Sequence, residues 1–315
     1  MYNQKTTDFD TSFEYIFNTD EDKEIAQKGL SDLINTAPVT LSNLSDRISK
    51  ITILDEKEVK TIKAIEYSVE SNDDDNNMYI VIIRTNINGR EENEEKKYFF
   101  SCENEECRLF FQVEQIENGY HVVERNKDQP ILLRDFPLIG SENFYFPFFL
   151  NGCKFNPLET RSGLYLNGNF DEAKQNRKII GSAIDLSIKF IDMLLTQNID
   201  KRYLLAYSNI PEPPIKYDKI AFKWFIEKQK YWREKLLGFK LVRDEKYQYF
   251  LLKDLKLPKF GREIQGKSSS KYKYNLEFFR LFKEMNITGG KLPNEKDVEK
   301  WFEIMENDPL KELTI

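Results

Sequence analysis

The segment 135–167, DFPLIGSENFYFPFFLNGCKFNPLETRSGLYLN, most constrains what this 315-residue chain can fold into. Its phenylalanines are spaced too closely for one helix face and too irregularly for strand alternation. Pro137, Pro147 and Pro157 each remove a backbone donor and fix φ, so regular structure is broken three times. The segment is nevertheless apolar, and its backbone groups still need partners. Two uses fit: an extended core-covering loop whose aromatic rings fill gaps, or a loop that forms a site or an interface.

The flanking patterns set the fold class. A strand-like run, 130–134, leads into the segment. The longest helical pattern leads out of it, with Asp171 as a cap and a stripe of Ile180, Ile184, Phe190, Ile191, Leu194 and Leu195 reaching to about Gln197. Upstream, 12–17 alternates like a strand. Asn18 to Asp22 then opens a helix to about Asn35, which Pro38 is expected to end. From 48 to 123 the chain reads as β, with strands at 49–54, 59–70, 78–87, 95–102, 107–116 and 119–124. The polar stretches 71–77 and 88–95 lie between strands. The triple Asp of the first lacks calcium-loop spacing and reads as a solvated hairpin tip.

Three prolines within 210–215 mark a linker. A second long helix, from Asp218 to about Leu237, interleaves aromatic and basic residues as a packed side and a solvated side. A hairpin (239–242 with 247–252) and helices at about 274–285 and 294–306 complete the chain. The expected architecture is α+β. A mixed-sheet domain with long packing helices covers 9–209, a linker 210–216, and a smaller, mainly helical domain with one hairpin 217–306, with tails at 1–8 and 307–315.

Composition narrows the chemistry. A net charge of −6 and a pI near 5.3 set nucleic acid aside as the main partner. No apolar run approaches the roughly 20 residues that span a bilayer, and the N-terminus lacks a secretory pattern. The three cysteines form no disulfide framework, so the cytoplasm is the expected compartment. Cys102 and Cys107 make C-x4-C without a second pair. His121, the single histidine, sits in an alternating strand pattern as a surface or cross-strand residue, so zinc and Ser-His-Asp chemistry lack material. Gly261 to Ser268 matches G-x4-G-K-S. The preceding 255–260 is charged and contains Pro258, so it makes a poor buried strand for a phosphate loop. The chain is therefore expected to bind no cofactor alone.

Phe136-Pro-Leu-Ile-Gly-Ser-Glu142, then Phe146-Pro147, Asn151, Phe155-Asn-Pro157, Glu159-Thr-Arg161 and Gly163, resembles a recurring segment of sacsin-like proteins. These carry an ATPase domain of the GHKL type, shared with the ninety-kilodalton heat-shock chaperones, and the segment follows that domain. Ile25 to Leu33 with Ala37-Pro38, and 236–261, are similar to neighbouring parts of the same region. The Asn/Glu helix, the Asp-x-Gly-x-Gly turn and the glycine-rich lid of a GHKL nucleotide site are missing here. The resemblance thus implies a non-catalytic transducer or client-handling region, whose partner is a GHKL-type ATPase domain or a protein client. ATP and magnesium belong to the partner domain.

In that setting Lys154 and Arg161 are the candidates for sensing the terminal phosphate, with Glu142 and Asn151 beside them at the interface. The alternative role for Arg161 is to pair with Glu142 or Glu159 and hold the loop's shape. Phe136, Phe146, Phe148 and Phe155 are expected to be buried, leaving Glu142, Lys154, Glu159 and Arg161 on one exposed side. A second functional class is a stand-alone protein-interaction or scaffold module, in a bacterial defence or stress system. An enzyme built on an unrecognised carboxylate site fits least, because paired-acid motifs are missing.

Overall fold

A computed structural model describes residues 16–57, 61–72, 78–142, 144, 146–161, 163–206, 219–257, 271–285 and 291–306. The expected tails, the 210–216 linker, most of the 12–17 strand, the triple Asp and the Gly261 to Ser268 string lie outside the described residues.

Helix α1 spans Asp20–Asn43. Its start follows the sequence: the Asp22 amide donates to Thr19 Oγ1 (3.1 Å) and the Thr19 amide donates to Asp22 Oδ2 (3.0 Å), a capping box. Its end does not, because the helix continues through Pro38. Proline has no N–H to offer the Ile34 carbonyl four residues back. Tyr67 Oη donates to that carbonyl instead, at 3.3 Å. A side chain of the sheet thus satisfies the acceptor that proline orphans. α1 is buried from Thr36 to Asn43, whereas Ile25, Leu30, Leu33 and Ile34 in its first part are exposed.

Strands β1 (Lys50–Lys57), β2 (Thr61–Asn72), β3 (Met78–Ile87), β4 (Arg90–Glu103) and β5 (Arg108–Ile116) form an antiparallel meander. The polar run 88–95 is mostly strand. Asn88 and Gly89, at φ 51° and 79°, make a two-residue turn whose twist matches the sheet, so pairing resumes at Arg90. The acids then align across strands. Arg84 Nε lies 3.0 Å from Glu94 and Arg84 also faces Glu66, which takes Lys50 Nζ at 2.5 Å. Alternating charge is how this open face tolerates so many acids.

β5 forks. Its end pairs with β6 (Gly119–Val122), and its beginning pairs with β9 (Phe149–Asn151). β7 (Leu132–Arg134) lies parallel to β9, and β8 (Phe136–Pro137) closes antiparallel on β7. β10 (Ile199–Asp200) adds parallel to β6. Successive side chains alternate between two cores, as the pleat requires. Phe110 and Phe149 face the α1 side with Tyr67, Val81 and Phe99, whereas Leu109, Phe111 and Leu150 face helix α2 (Asp171–Thr196). Phe170 rather than Asp171 occupies the cap position of α2. Asp171 is the first helical residue and pairs with Lys174 at 3.2 Å.

The later part contains α3 (Lys219–Leu236), the hairpin β11 (Val242–Arg243) and β12 (Tyr249–Phe250), α4 (Lys271–Met285) and α5 (Val298–Glu306). It shares a core with the sheet: Trp232 of α3 is fully buried, its ring 5.7 Å from that of Phe146. The chain is α+β, as expected. No helix among the described residues is long and apolar enough to cross a membrane.

Candidate functional site: an anchored loop and the pocket beside it

The loop between β8 and α2 is held by its aromatic rings. Phe144, Phe146, Phe148 and Phe155 are buried. The Phe148 ring lies 5.0–5.5 Å from those of Phe111, Phe146 and Phe190. Phe136 corrects the expectation: it is 52% exposed. It sits in β8 opposite Arg134 at the sheet's outer edge, and the fully buried Leu138 fills the core in its place. Gly152 lets Phe155 fold inward, because a Cβ there would lie 2.7 Å from the Phe155 ring.

Side chains satisfy the loop's backbone. Ser141 Oγ accepts from the amides of Ile131 (3.2 Å) and Leu132 (3.0 Å) and donates to the Leu138 carbonyl (2.7 Å). From α2, the fully buried Asn176 accepts from the Asn156 amide and donates to the carbonyls of Asn156 and Tyr165, each at 2.8 Å. Arg177 donates to the carbonyls of Leu166 (2.5 Å) and Gly168 (2.9 Å). A buried amide that makes three hydrogen bonds meets the requirement that irregular backbone be paired. These clamps were missed in the sequence. Their one signal was a polar pair, Asn176-Arg177, on the mainly apolar inner stripe of the helix.

Two of the four candidate residues, Asn151 and Arg161, meet the end of β7. β7 and β9 run parallel, and Asn151 ends β9, where its Oδ1 accepts from the Asp135 amide at 2.9 Å. Lys154 follows in the next turn and is exposed. Arg161, exposed and at φ 52°, donates to the Arg134 carbonyl at the end of β7, at 3.4 Å. It makes no ion pair with Glu142 or Glu159 among the described residues. Glu142 lies apart: it accepts from the Gly140 amide (2.9 Å) next to Ser141, which grips the start of β7 rather than its end. The expected single cluster of four charges therefore does not include Glu142.

A pocket of about 140 Å³ opens at the same end, between the C-terminus of α1 and the β4–β5 turn. Asn43, Arg47, Arg108, Asp135 and Asn151 line it, with Cys107 and Cys153. Burial pushes the Cys107 thiol up to about 12, so it stays protonated and unreactive at neutral pH. Glu106, also on the pocket, is held below the usual carboxylate range first by a 2.5 Å hydrogen bond from Lys178, with a smaller contribution from Lys154. A larger groove, about 390 Å³, lies along the other side of α1 between Pro38, Tyr67, Lys97, Gln129 and Phe149. His121 sits half-buried in β6 opposite Glu114 and Asp200, a cross-strand position as expected. Among the described residues no three His, Cys, Asp or Glu side chains are grouped to hold a metal ion. Comparison with known proteins gave no match, whether to a family model, a characterised protein or a solved structure.

Proposed function

We propose that this chain is a non-catalytic transducer or client-handling region that works with a GHKL-type ATPase domain. One observation carries the reading: Lys154, in the turn after β9, and Arg161, against the end of β7, stay exposed on a loop that Phe144, Phe146, Phe148 and Phe155 anchor in the core. A cation on fixed backbone can meet a terminal phosphate without ordering a loop at the moment of contact. The Arg161 guanidinium reaches a carbonyl rather than a carboxylate, so its charge is available for a phosphate. A second reading, a stand-alone protein-interaction module, is favoured by the exposed Ile25, Leu30, Leu33 and Ile34 on the first half of α1.

Calorimetry tests the non-catalytic part. The chain alone should give no heat with millimolar Mg-ATP, whereas titration with a GHKL-type ATPase domain of a sacsin-like protein should give a saturable isotherm. Micromolar ATP binding by the chain alone, abolished by Lys267→Ala, would instead assign it a phosphate loop of its own.

A further inference from the structure

The pocket at the end of α1 holds two buried acceptors without donors. Asn43 is 3% exposed; its Nδ2 donates to the Asp135 carbonyl at 2.9 Å. That bond fixes the amide's orientation, so the remaining atom is an acceptor, and Asn43 Oδ1 has no hydrogen-bond partner. Glu106 Oε2 is likewise buried and unpartnered, while its Oε1 takes Lys178. Both residues line the same pocket. A buried acceptor without a donor is costly, and native structures rarely leave two together.

The surrounding charge says what would fill the space. Arg47 faces Asp46 (3.6 Å) and Asp135 (3.5 Å), and Arg108 is held by Glu103 at 2.6 Å and by the Asn43 carbonyl at 3.0 Å. Glu105 makes no ion pair among the described residues, and Glu106 is paired with Lys178, which lies outside the pocket lining, through Oε1 alone. The C-terminus of the 24-residue helix α1 adds partial negative charge; its own last turn carries no basic residue, and Arg108 meets one of its carbonyls. The occupant must therefore donate hydrogen bonds, accept none, carry positive charge and be small. A guanidinium is already present twice.

We propose that this pocket binds a primary ammonium group, with Asn43 Oδ1 and Glu106 Oε2 as its acceptors. An ammonium has three donors and no acceptor, which matches the deficit. The site adjoins the proposed phosphate contact of Lys154 and Arg161 and shares Asn151 with it, but its test does not depend on that contact.

The test is an NMR titration of the isotope-labelled chain with methylammonium chloride, compared with tetramethylammonium chloride and potassium chloride at equal ionic strength. Saturable shifts of the Asn43 side-chain amide, with dissociation constants on the order of millimolar, are expected for methylammonium alone. Tetramethylammonium has the charge without the donors. Glu106→Gln should weaken binding about tenfold, the size of one charge-assisted hydrogen bond. Identical responses to all three salts, or an unmoved Asn43 amide, would overturn the proposal and leave water as the occupant. These comparisons are made on the wild-type chain and stand even if the variant misfolds. A further titration with Nα-acetyl-lysine amide separates the sources. Binding there points to a lysine side chain of a partner, and binding of methylammonium alone points to a free amine.

Discussion

Arg243→Ala should lower the unfolding free energy by about 3–5 kcal/mol at pH 7, the range for breaking a buried ion pair from one side. Arg243 joins the sheet to the later part of the chain. Its Nη1 lies 2.7 and 2.8 Å from the two oxygens of Asp200 in β10, and its Nε and Nη2 each lie 3.2 Å from Asp297 just before α5. Tyr249 Oη donates to Asp200 at 2.7 Å, and the Arg202 guanidinium stacks 3.9 Å over the Tyr249 ring. Alanine would leave the buried Asp297 and the half-buried Asp200 without their shared cation.

The deficit should also depend on pH. Burial pushes Asp200 up, but hydrogen bonds from Tyr249 and the Lys201 amide, with the charge of Arg243, outweigh it and hold the carboxyl low. In the wild type Asp200 therefore contributes stability above the unfolded carboxylate value of about 3.9, lost as pH falls through its lower folded value. Burial raises Asp297 despite Arg243, so its ionised form costs stability at neutral pH, a cost relieved as pH falls. Without Arg243 both carboxyls move up, and protonating them removes the unpaired charge. Urea unfolding at pH 7 and pH 5 should show the gap between variant and wild type narrowing at the lower pH. A gap below 1 kcal/mol, or one unchanged with pH, would contradict this account. Arg243→Lys should recover only part of the loss, because an ammonium cannot reach both carboxylates with a planar fork.

Phe148→Ala should cost a further independent 3–5 kcal/mol or so, the range for emptying a large aromatic site. Phe148 is 1% exposed and its ring meets three others, so little surrounding structure is free to collapse into the space. Phe136→Ala, at an exposed site in the same loop, should stay within about 0.5 kcal/mol of wild type. The pair separates anchoring by particular rings from general loop hydrophobicity. Limited proteolysis should show cleavage within 136–166 appearing in Phe148→Ala and not in Phe136→Ala. Equal effects of the two substitutions would refute the assignment of anchors.

The sequence carried the local structure further than the contacts that decide it. The capping box at Thr19 and Asp22, the strands of the meander and the helix after the loop were legible because periodicity and capping are local properties. Pro38 misled because its penalty is local and its remedy is not: Tyr67, 29 positions later, supplies the missing donor. Phe136 misled because hydrophobicity does not say which strand becomes the sheet edge. At the site, Asn151, Lys154 and Arg161 could be picked by residue type, but the approach of Asn151 and Arg161 to the end of β7 depends on the parallel pairing of β7 with β9. Glu142, close in sequence, ends at the opposite end of β7 because Ser141 is tied to the strand's start. The acceptors of Asn43 and Glu106 gave no sequence signal, since an unpartnered atom is defined only by its surroundings.

The most direct test of the transducer reading is ATP turnover by a GHKL-type ATPase domain supplied in trans. Wild-type chain should stimulate hydrolysis, and Lys154→Ala or Arg161→Ala should reduce that stimulation at least tenfold (about 1.4 kcal/mol of transition-state stabilisation) at unchanged thermal stability. Both residues are exposed, so their loss should leave the fold intact. Stimulation unchanged in both variants, or no stimulation by the wild-type chain, would contradict the account.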